Sequence, residues 1–358
     1  MSYSIAHISA THIKNLKYHK EYRAVFSQMY NKLRADQPDI IVHCGDLAHT
    51  KVNLSPEYFD LATDFLKNLA DIAPLIIIPG NHDGNLRNTA RQDAITPLVT
   101  ALDHPHIHLL RASGEFVWDD NLTFNVLSVF DTENWIKPTQ KEKINIALYH
   151  GSISGCETSL GWVMEHGEND VSIFEGFDYA LLGDIHKTNQ SLDDEGRVRY
   201  VGSTVQQNHA EEMDKGYLLW TIDNKDDFKV ELHTFQNPKP FITIELTPKG
   251  RIPKNTNIPL GARVRVVANT KLPVETIRKA TDVVRTRFRP ESLTFLNRAG
   301  VSLSSAHTDD ITEKNLRDVQ VQQELIRDYL KDYEPSEELL KEVFSMNERF
   351  NKQAEENE

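Results

Sequence analysis

Short apolar, β-branched runs alternate with stretches of helical spacing through the first part of the chain. Ser4-Ile5-Ala6-His7-Ile8-Ser9 predicts a strand that ends at Ala10-Thr11-His12. Tyr22, Val25, Phe26, Met29, Tyr30 and Leu33 then recur at the spacing of one helix face, which predicts an amphipathic helix. Asp39-Ile40-Ile41-Val42-His43-Cys44 is a continuous apolar run with Gly45 behind it, the pattern of a buried parallel strand. It ends at Asp46, and His49 follows. Phe59, Leu61, Ala62, Phe65, Leu66 and Leu69 predict a second helix over Tyr58 to Ile72, with Pro56 near its start. Pro74-Leu75-Ile76-Ile77-Ile78 predicts a third strand, ending in Pro79-Gly80-Asn81-His82-Asp83. The order strand, helix, strand, helix, strand implies a parallel sheet with right-handed crossovers.

After a helix predicted over Gln92 to Leu102, the pattern turns to period two. Phe116 to Trp118 and Leu122 to Phe130 predict an antiparallel pair around Asp119-Asp120-Asn121. Lys143 to Tyr149 predicts a buried strand ending at His150-Gly151, and Tyr179 to Leu182 another, ending at Gly183-Asp184-Ile185-His186. Strands around Val198–Val201 and Tyr217–Ile222 are expected to complete a second β layer. Asn237-Pro238-Lys239-Pro240 marks a boundary. Beyond it, Phe241–Leu246, Ala262–Ala268, a helix from about Val274 to Thr286 and Ser292–Leu296 predict a small α/β unit. The tail predicts two helices, roughly Glu313–Asp332 and Ser336–Asn351, broken at Glu334-Pro335. Domains are therefore expected at residues 1–237, 238–306 and 307–358.

Charge changes this picture locally. The net charge of -13 argues against a protein that coats nucleic acid through its overall charge. Residues 262 to 298, however, hold nine Lys/Arg against three Asp/Glu, so a local basic path remains open. From Thr308 onward the balance reverses, with seven Lys/Arg against fifteen Asp/Glu. No run of about 18 apolar residues exists, so no membrane span is expected. Met1 to Ser9 lacks a charged start and a long apolar core, so no secretory leader is expected. Two cysteines, Cys44 and Cys156, make no disulfide framework, and a cytoplasmic location fits.

The candidate chemistry lies at the strand ends: His12, Asp46, Asn81, His82, His150, Asp184 and His186. In open α/β sheets, loops at the carboxyl ends of strands carry the ligand site. Any one such His is ordinarily a polar loop residue, and Asn81-His82-Asp83 also suits a turn. Recurrence at five strand ends points further. Mixed imidazole and oxygen ligands suit manganese, iron or zinc. Two such ions side by side support in-line displacement at phosphorus.

The series Ser9-Ala10-Thr11-His12, Gly45-Asp46, Gly80-Asn81-His82-Asp83, His150-Gly151 and Gly183-Asp184-Ile185-His186 resembles the five-motif pattern of calcineurin-like metallophosphoesterases. More narrowly, Tyr200-Val201-Gly202-Ser203-Thr204, Glu211 and Lys215-Gly216-Tyr217 resemble the SbcD family of nuclease subunits, the Mre-eleven type. The resemblance covers about residues 1 to 235. It implies a four-layer αββα sandwich with a small α/β capping domain and a helical tail. It implies two divalent ions, manganese foremost: His12 and His186 on one, Asn81, His150 and Asp184 on the other, and Asp46 bridging both. His82 would stand beside the scissile phosphate as general acid or transition-state stabiliser, and His49 would assist it or merely start a helix.

The implied activity is hydrolysis of DNA phosphodiesters, as a 3'-5' double-strand exonuclease and single-strand endonuclease in end processing and repair. The basic unit would contact DNA through Arg263, Arg265, Arg278, Lys279, Arg285, Arg287 and Arg289. The tail would dock on the coiled coil of an SbcC-type ATPase through Leu325, Ile326, Tyr329, Leu340 and Phe344, with a homodimer giving a two-plus-two assembly.

Two positions depart from the family pattern. Ala10 stands where the family has Asp, so one metal loses a carboxylate. Either the site is naturally impaired or an Asp was replaced, and the otherwise intact motif set favours replacement. Asp184 stands where SbcD-like chains usually have His, and Asp can still ligate. Two rival readings remain: a metallophosphatase of another substrate class, and a catalytically dead scaffold that still binds DNA and its ATPase.

Overall fold

The computed structural model describes residues 2–52, 54–298, 326 and 336–356. β1 (Tyr3–Ile8), β2 (Ile40–Cys44), β3 (Leu75–Ile78) and β4 (Ile107–Leu109) run parallel, with Ile5 beside Ile40 and Ile41 beside Leu75. α1 (His19–Asp36) and α2 (Pro56–Ala70) connect the first three. Ser55 caps α2 by accepting the Tyr58 N–H at 3.2 Å, with a proline in the first turn.

The continuous apolar runs split by parity. Ile40, Val42 and Cys44 of β2 face a second sheet, whereas Ile41 packs with α1 and α2. On β3, Ile76 and Ile78 face the second sheet, and Leu75 and Ile77 the helices. The second sheet has the order β5-β6-β7-β8-β10-β9: β5 (Gly114–Val117), β6 (Leu122–Leu127), β7 (Ile144–His150), β8 (Tyr179–Gly183), β9 (Gln190–Ser191) and β10 (Val198–Tyr200). Phe124, Ile146, Leu148 and Leu181 meet the first sheet across a shared core. Ala147, Tyr149, Ala180 and Leu182 point the other way and are covered by Ile153, Cys156 and Phe174, the last from a 3-10 turn at Val171–Phe174. The architecture is the expected α/β sandwich of two face-to-face sheets.

Three sequence expectations change. The Tyr217–Ile222 strand, here β11 (Lys215–Ile222), joins the first sheet, not the second: it lies antiparallel to β1. β12 (Phe228–Phe235), which the sequence pattern did not single out, pairs with it at the sheet edge. Alternation cannot say which sheet a strand joins, and Leu218 and Trp220 reach the same inter-sheet core from either side. The helix expected from Gln92 begins later, as α3 (Thr96–Leu102). Asp93 stops it, because its carboxylate accepts the N–H groups of Ile95 and Thr96 at 2.9 and 2.7 Å and pairs with Arg111 at 2.9 Å. β4 is only three residues long, too short to show a period.

The basic segment forms its own three-stranded sheet, β13 (Phe241–Glu245), β14 (Arg263–Ala268) and β15 (Ser292–Asn297), with α4 (Val274–Phe288) and a separate core around Ile244, Val264 and Val284. The chain divides into two compact units, Met1–Leu296 and Asn297–Glu358. In the second unit, α5 (Glu337–Glu356) starts at Ser336, whose hydroxyl accepts the Leu339 N–H at 3.2 Å. The first tail helix, with Leu325 and Tyr329, lies outside the described residues, apart from Ile326, which is helical. No helix among the described residues is long and apolar enough to cross a membrane, and Cys44 and Cys156 are buried and free.

Two buried imidazoles make stability depend on pH. Burial, the largest cause, lowers both His7 and His43 from 6.5 to about 3. The unfolded chain therefore binds more protons between those values, and each group costs about 1.4 kcal/mol of stability per pH unit below roughly 6.5. His7→Leu is expected to shrink the loss of stability between pH 7 and pH 5, read by denaturant unfolding at both. A parent and variant with the same pH slope would contradict this role.

Candidate metal centre

The carboxyl ends of β1, β2, β3, β7 and β8 converge, and glycines permit the approach. A Cβ at Gly45 would strike His150 Nδ1 and the Gly80 backbone; one at Gly183 would strike the Cys44 carbonyl and Ser9 Oγ. The turns are also left-handed where that is rare: φ is +46° at Ala10, +48° at His12, +60° at Asp46 and +94° at Asp184. Such residues cost about 1–3 kcal/mol each and cluster at functional sites. They persist because neighbouring backbone holds them: Ala10 N–H donates to Gly45 O at 3.0 Å and His12 N–H to Asp46 O at 2.9 Å.

These strand ends place their side chains in two donor groups that share Asp46. One is His12, Asp46 and His82; the other is Asp46, His150 and Asp184. His12 Nε2 lies 3.5 Å from Asp46 Oδ2 and 2.9 Å from His186 Nε2. On the opposite side of Asp46, His150 Nε2 lies 3.3 Å from Oδ1 and 3.7 Å from Asp184 Oδ1. Asn81 donates to Asp184 Oδ1 at 3.3 Å.

The donor set fits divalent cations. His150 Nδ1 donates to the Cys44 carbonyl at 2.8 Å, which aims Nε2 at the two carboxylates. His150 Nε2 and Asn81 Oδ1 are buried and make no hydrogen bond among the described residues. Burial pushes His150 down, yet the Asp46 and Asp184 charges raise it well above the ordinary imidazole range. Burial pushes Asp46 up, and the charges of His150 and His12 pull it below the usual carboxylate range. The field at this point is negative enough to favour a cation.

The site opens into a cavity of about 370 Å³ lined by His12, Lys14, Asp46, His49, His82, Asp184, His186, Gln207 and Asn208. His82 is exposed at its mouth. Its backbone N–H donates to Asp46 Oδ1 at 2.9 Å, and its Nδ1 donates to the His49 carbonyl at 2.9 Å. His49 stacks on His82 with centroids 6.1 Å apart. It does not start a helix, because α2 begins seven residues later. Burial, then the charges of Lys14 and His82, lower the His49 imidazole.

Two further residues build the site from behind. Asp83 is buried and accepts backbone N–H groups from Asp46, Gly80 and Ala48, each at 2.8 Å, which ties the β2 and β3 ends together. Glu211 is buried and accepts from His186 Nδ1 at 2.9 Å and from Ser203 Oγ at 2.8 Å. Burial alone would raise it, but His186 and Lys215 hold its carboxyl down at about 2. Carboxylate–imidazole pairs of this kind orient metal-binding histidines. Both residues stood in the sequence motifs, but only the geometry shows what they hold.

The expected DNA contacts separate into two kinds. Arg263 is buried: its guanidinium meets Glu21 of α1 and Glu291 at 3.0 Å and lies 4.1 Å from the Tyr18 ring. It joins the third sheet to α1 and is not presented to a ligand. Arg265 is half-buried, and Arg278, Lys279, Arg285, Arg287 and Arg289 are exposed. Lys279 and Arg287 line a second cavity of about 550 Å³ together with Lys249, Arg251 and Lys254, three cations that charge counting over 262–298 left out. In the tail, Leu340 is buried and Phe344 half-buried.

The chain is similar to several known proteins. It is 35% identical over 278 residues to the uncharacterized protein R555 of Acanthamoeba polyphaga mimivirus, covering 74% of this chain and 20% of that protein. It is 26% identical over 267 residues to the SbcD subunit of the nuclease SbcCD of Staphylococcus epidermidis, covering 63% of this chain and 66% of that one. It is 25% identical over 227 residues to the DNA double-strand break repair protein Mre11 of Saccharolobus solfataricus, covering 60% and 57%. The chain thus spans less than two thirds of the length of each. A family model described as calcineurin-like phosphoesterase matches residues 3–188, which contain every strand end of the centre, and the chain belongs to that family.

Proposed function

We propose that this chain is the nuclease subunit of an SbcCD-like complex, hydrolysing DNA phosphodiesters with two divalent cations, manganese foremost. The observation that carries the reading is the place of Asp46, which belongs to both donor groups. The named relatives that are nucleases or break-repair proteins support the substrate, as do the exposed cations of α4.

On this reading His12, His186 and Asp46 would hold one cation, and Asp46, Asn81, His150 and Asp184 the other. Bound there, the cations supply charge for the phosphoryl oxygens and a hydroxide at neutral pH. Glu211 keeps the His186 Nε2 lone pair turned into the site. His82 has Nδ1–H committed to the His49 carbonyl, which leaves Nε2 for the leaving oxygen; the form that would deliver a proton there is the imidazolium, in which both ring nitrogens carry one. Ala10 occupies the position of a metal-binding Asp. Its left-handed backbone suits Asp better than Ala, because a short polar side chain tolerates that conformation.

The test compares substrates. The Ala10→Asp chain with manganese should cut DNA and leave phosphomonoesters largely untouched. Efficient monoester hydrolysis without DNA cleavage would favour a metallophosphatase; no hydrolysis of either would favour a scaffold.

The acidic tail is proposed to dock on the coiled coil of the ATPase partner, with the catalytic domains paired as a homodimer. A chain ending at Ala306 is expected to fold and bind manganese yet fail to co-purify with that ATPase. Full-strength binding by the truncated chain would place the docking surface elsewhere.

A further inference from the structure

The cavity at the centre carries one cation that the donor groups do not use. Lys14 follows His12 by two residues and lines the same cavity as His12, His49, His82 and His186. It is half-buried, and its ammonium lies 5.1 Å from the centroid of the Tyr18 ring. Among the described residues no carboxylate lies within ion-pairing distance of it. Glu211, whose charge acts on it, is already engaged by His186, Ser203 and Lys215.

A half-buried ammonium without a carboxylate partner is costly to keep, and an aromatic face answers only part of its charge. An anion entering from the cavity would supply the partner that the protein does not. The acids on the cavity wall, Asp46 and Asp184, face the imidazoles of the donor groups, so they do not supply it. We propose that the Lys14 ammonium binds a non-bridging oxygen of the phosphoryl group in this cavity. The proposal deepens the reading given above and rests on it for the phosphodiester. Lysine suits this role because its three donors rotate freely on a flexible stem, so it can follow a phosphoryl oxygen as charge grows there. The plainer alternative is that Lys14 only packs on Tyr18 and steadies the loop after His12.

The experiment measures binding of inorganic phosphate to the full chain loaded with manganese, by calorimetric titration, for the parent, Lys14→Met and Lys14→Arg. Methionine keeps the length and apolar stem; arginine keeps the charge. Lys14→Met should bind phosphate about 10–100-fold more weakly, the worth of one charge-assisted hydrogen bond. Lys14→Arg should restore most of the affinity, and manganese content and thermal unfolding should match the parent in both. Equal phosphate affinity in Lys14→Met and the parent would overturn the proposal, as would a parent that binds no phosphate. A loss shared by Lys14→Arg, or one accompanied by loss of manganese, would also overturn it and make Lys14 a packing residue. Phosphate binding does not require DNA cleavage. If the Ala10→Asp chain fails to cut DNA while the Lys14 variants show the expected phosphate pattern, the nuclease reading would fall and this one would stand.

Discussion

Ala10→Asp is expected to raise manganese-dependent DNA hydrolysis by at least about a hundredfold, since residues that merely support metal ligands typically account for 10–100-fold. The change adds a carboxylate at a fully buried position whose backbone is already left-handed and held by the Gly45 carbonyl. It adds a second negative charge close to Asp46 as well. Without a cation the variant should therefore be less stable than the parent, because a buried unpaired carboxylate is costly. With manganese at 100 times the dissociation constant it should gain about 2.7 kcal/mol, more than the parent gains at the same concentration. Thermal unfolding with and without manganese checks this directly. A variant whose melting temperature ignores manganese, and which stays inert, would remove position 10 from the site.

The second large effect is at His82. In the Ala10→Asp background, His82→Ala should lose about 10²–10⁴-fold in rate, the usual contribution of a positioned general acid. Both cations should remain, because His82 sits exposed at the cavity mouth and the buried donors lie behind it. The structure also brings His82 within a donor group with His12 and Asp46. Metal content decides between the two roles: loss of a cation along with the rate would make His82 a ligand. His82→Ala should also make the rate depend more steeply on the pKa of the leaving group, since the leaving oxygen would then depart without a proton.

Much of this centre was legible because strand ends are. Gly45-Asp46, Gly80-Asn81 and Gly183-Asp184 each set a glycine before an oxygen-bearing side chain, and each glycine makes room for another strand end to approach. The apolar runs of β2 and β3 were readable as buried strands because both their faces are covered. What pattern could not reach were contacts between distant segments. Arg263 looked like one more cation of a basic unit, and its burial depends on Glu21, far back in α1. The placement of β11 beside β1 depends on pairing, which alternation does not encode. The late start of α3 depends on Asp93, whose carboxylate serves both the helix and Arg111. Glu211 was visible as a motif residue, but its hydrogen bond to His186 was not.

Everything proposed for this centre turns on Asp46 bridging two cations. Electron paramagnetic resonance of the manganese-loaded Ala10→Asp chain reads that bridge, because a shared carboxylate couples the spins of the two ions. The expected result is the spectrum of a coupled manganese pair at two ions per chain, replaced in Asp46→Asn by that of isolated ions or by none. A spectrum of isolated manganese in the Ala10→Asp chain at full occupancy would contradict the bridge.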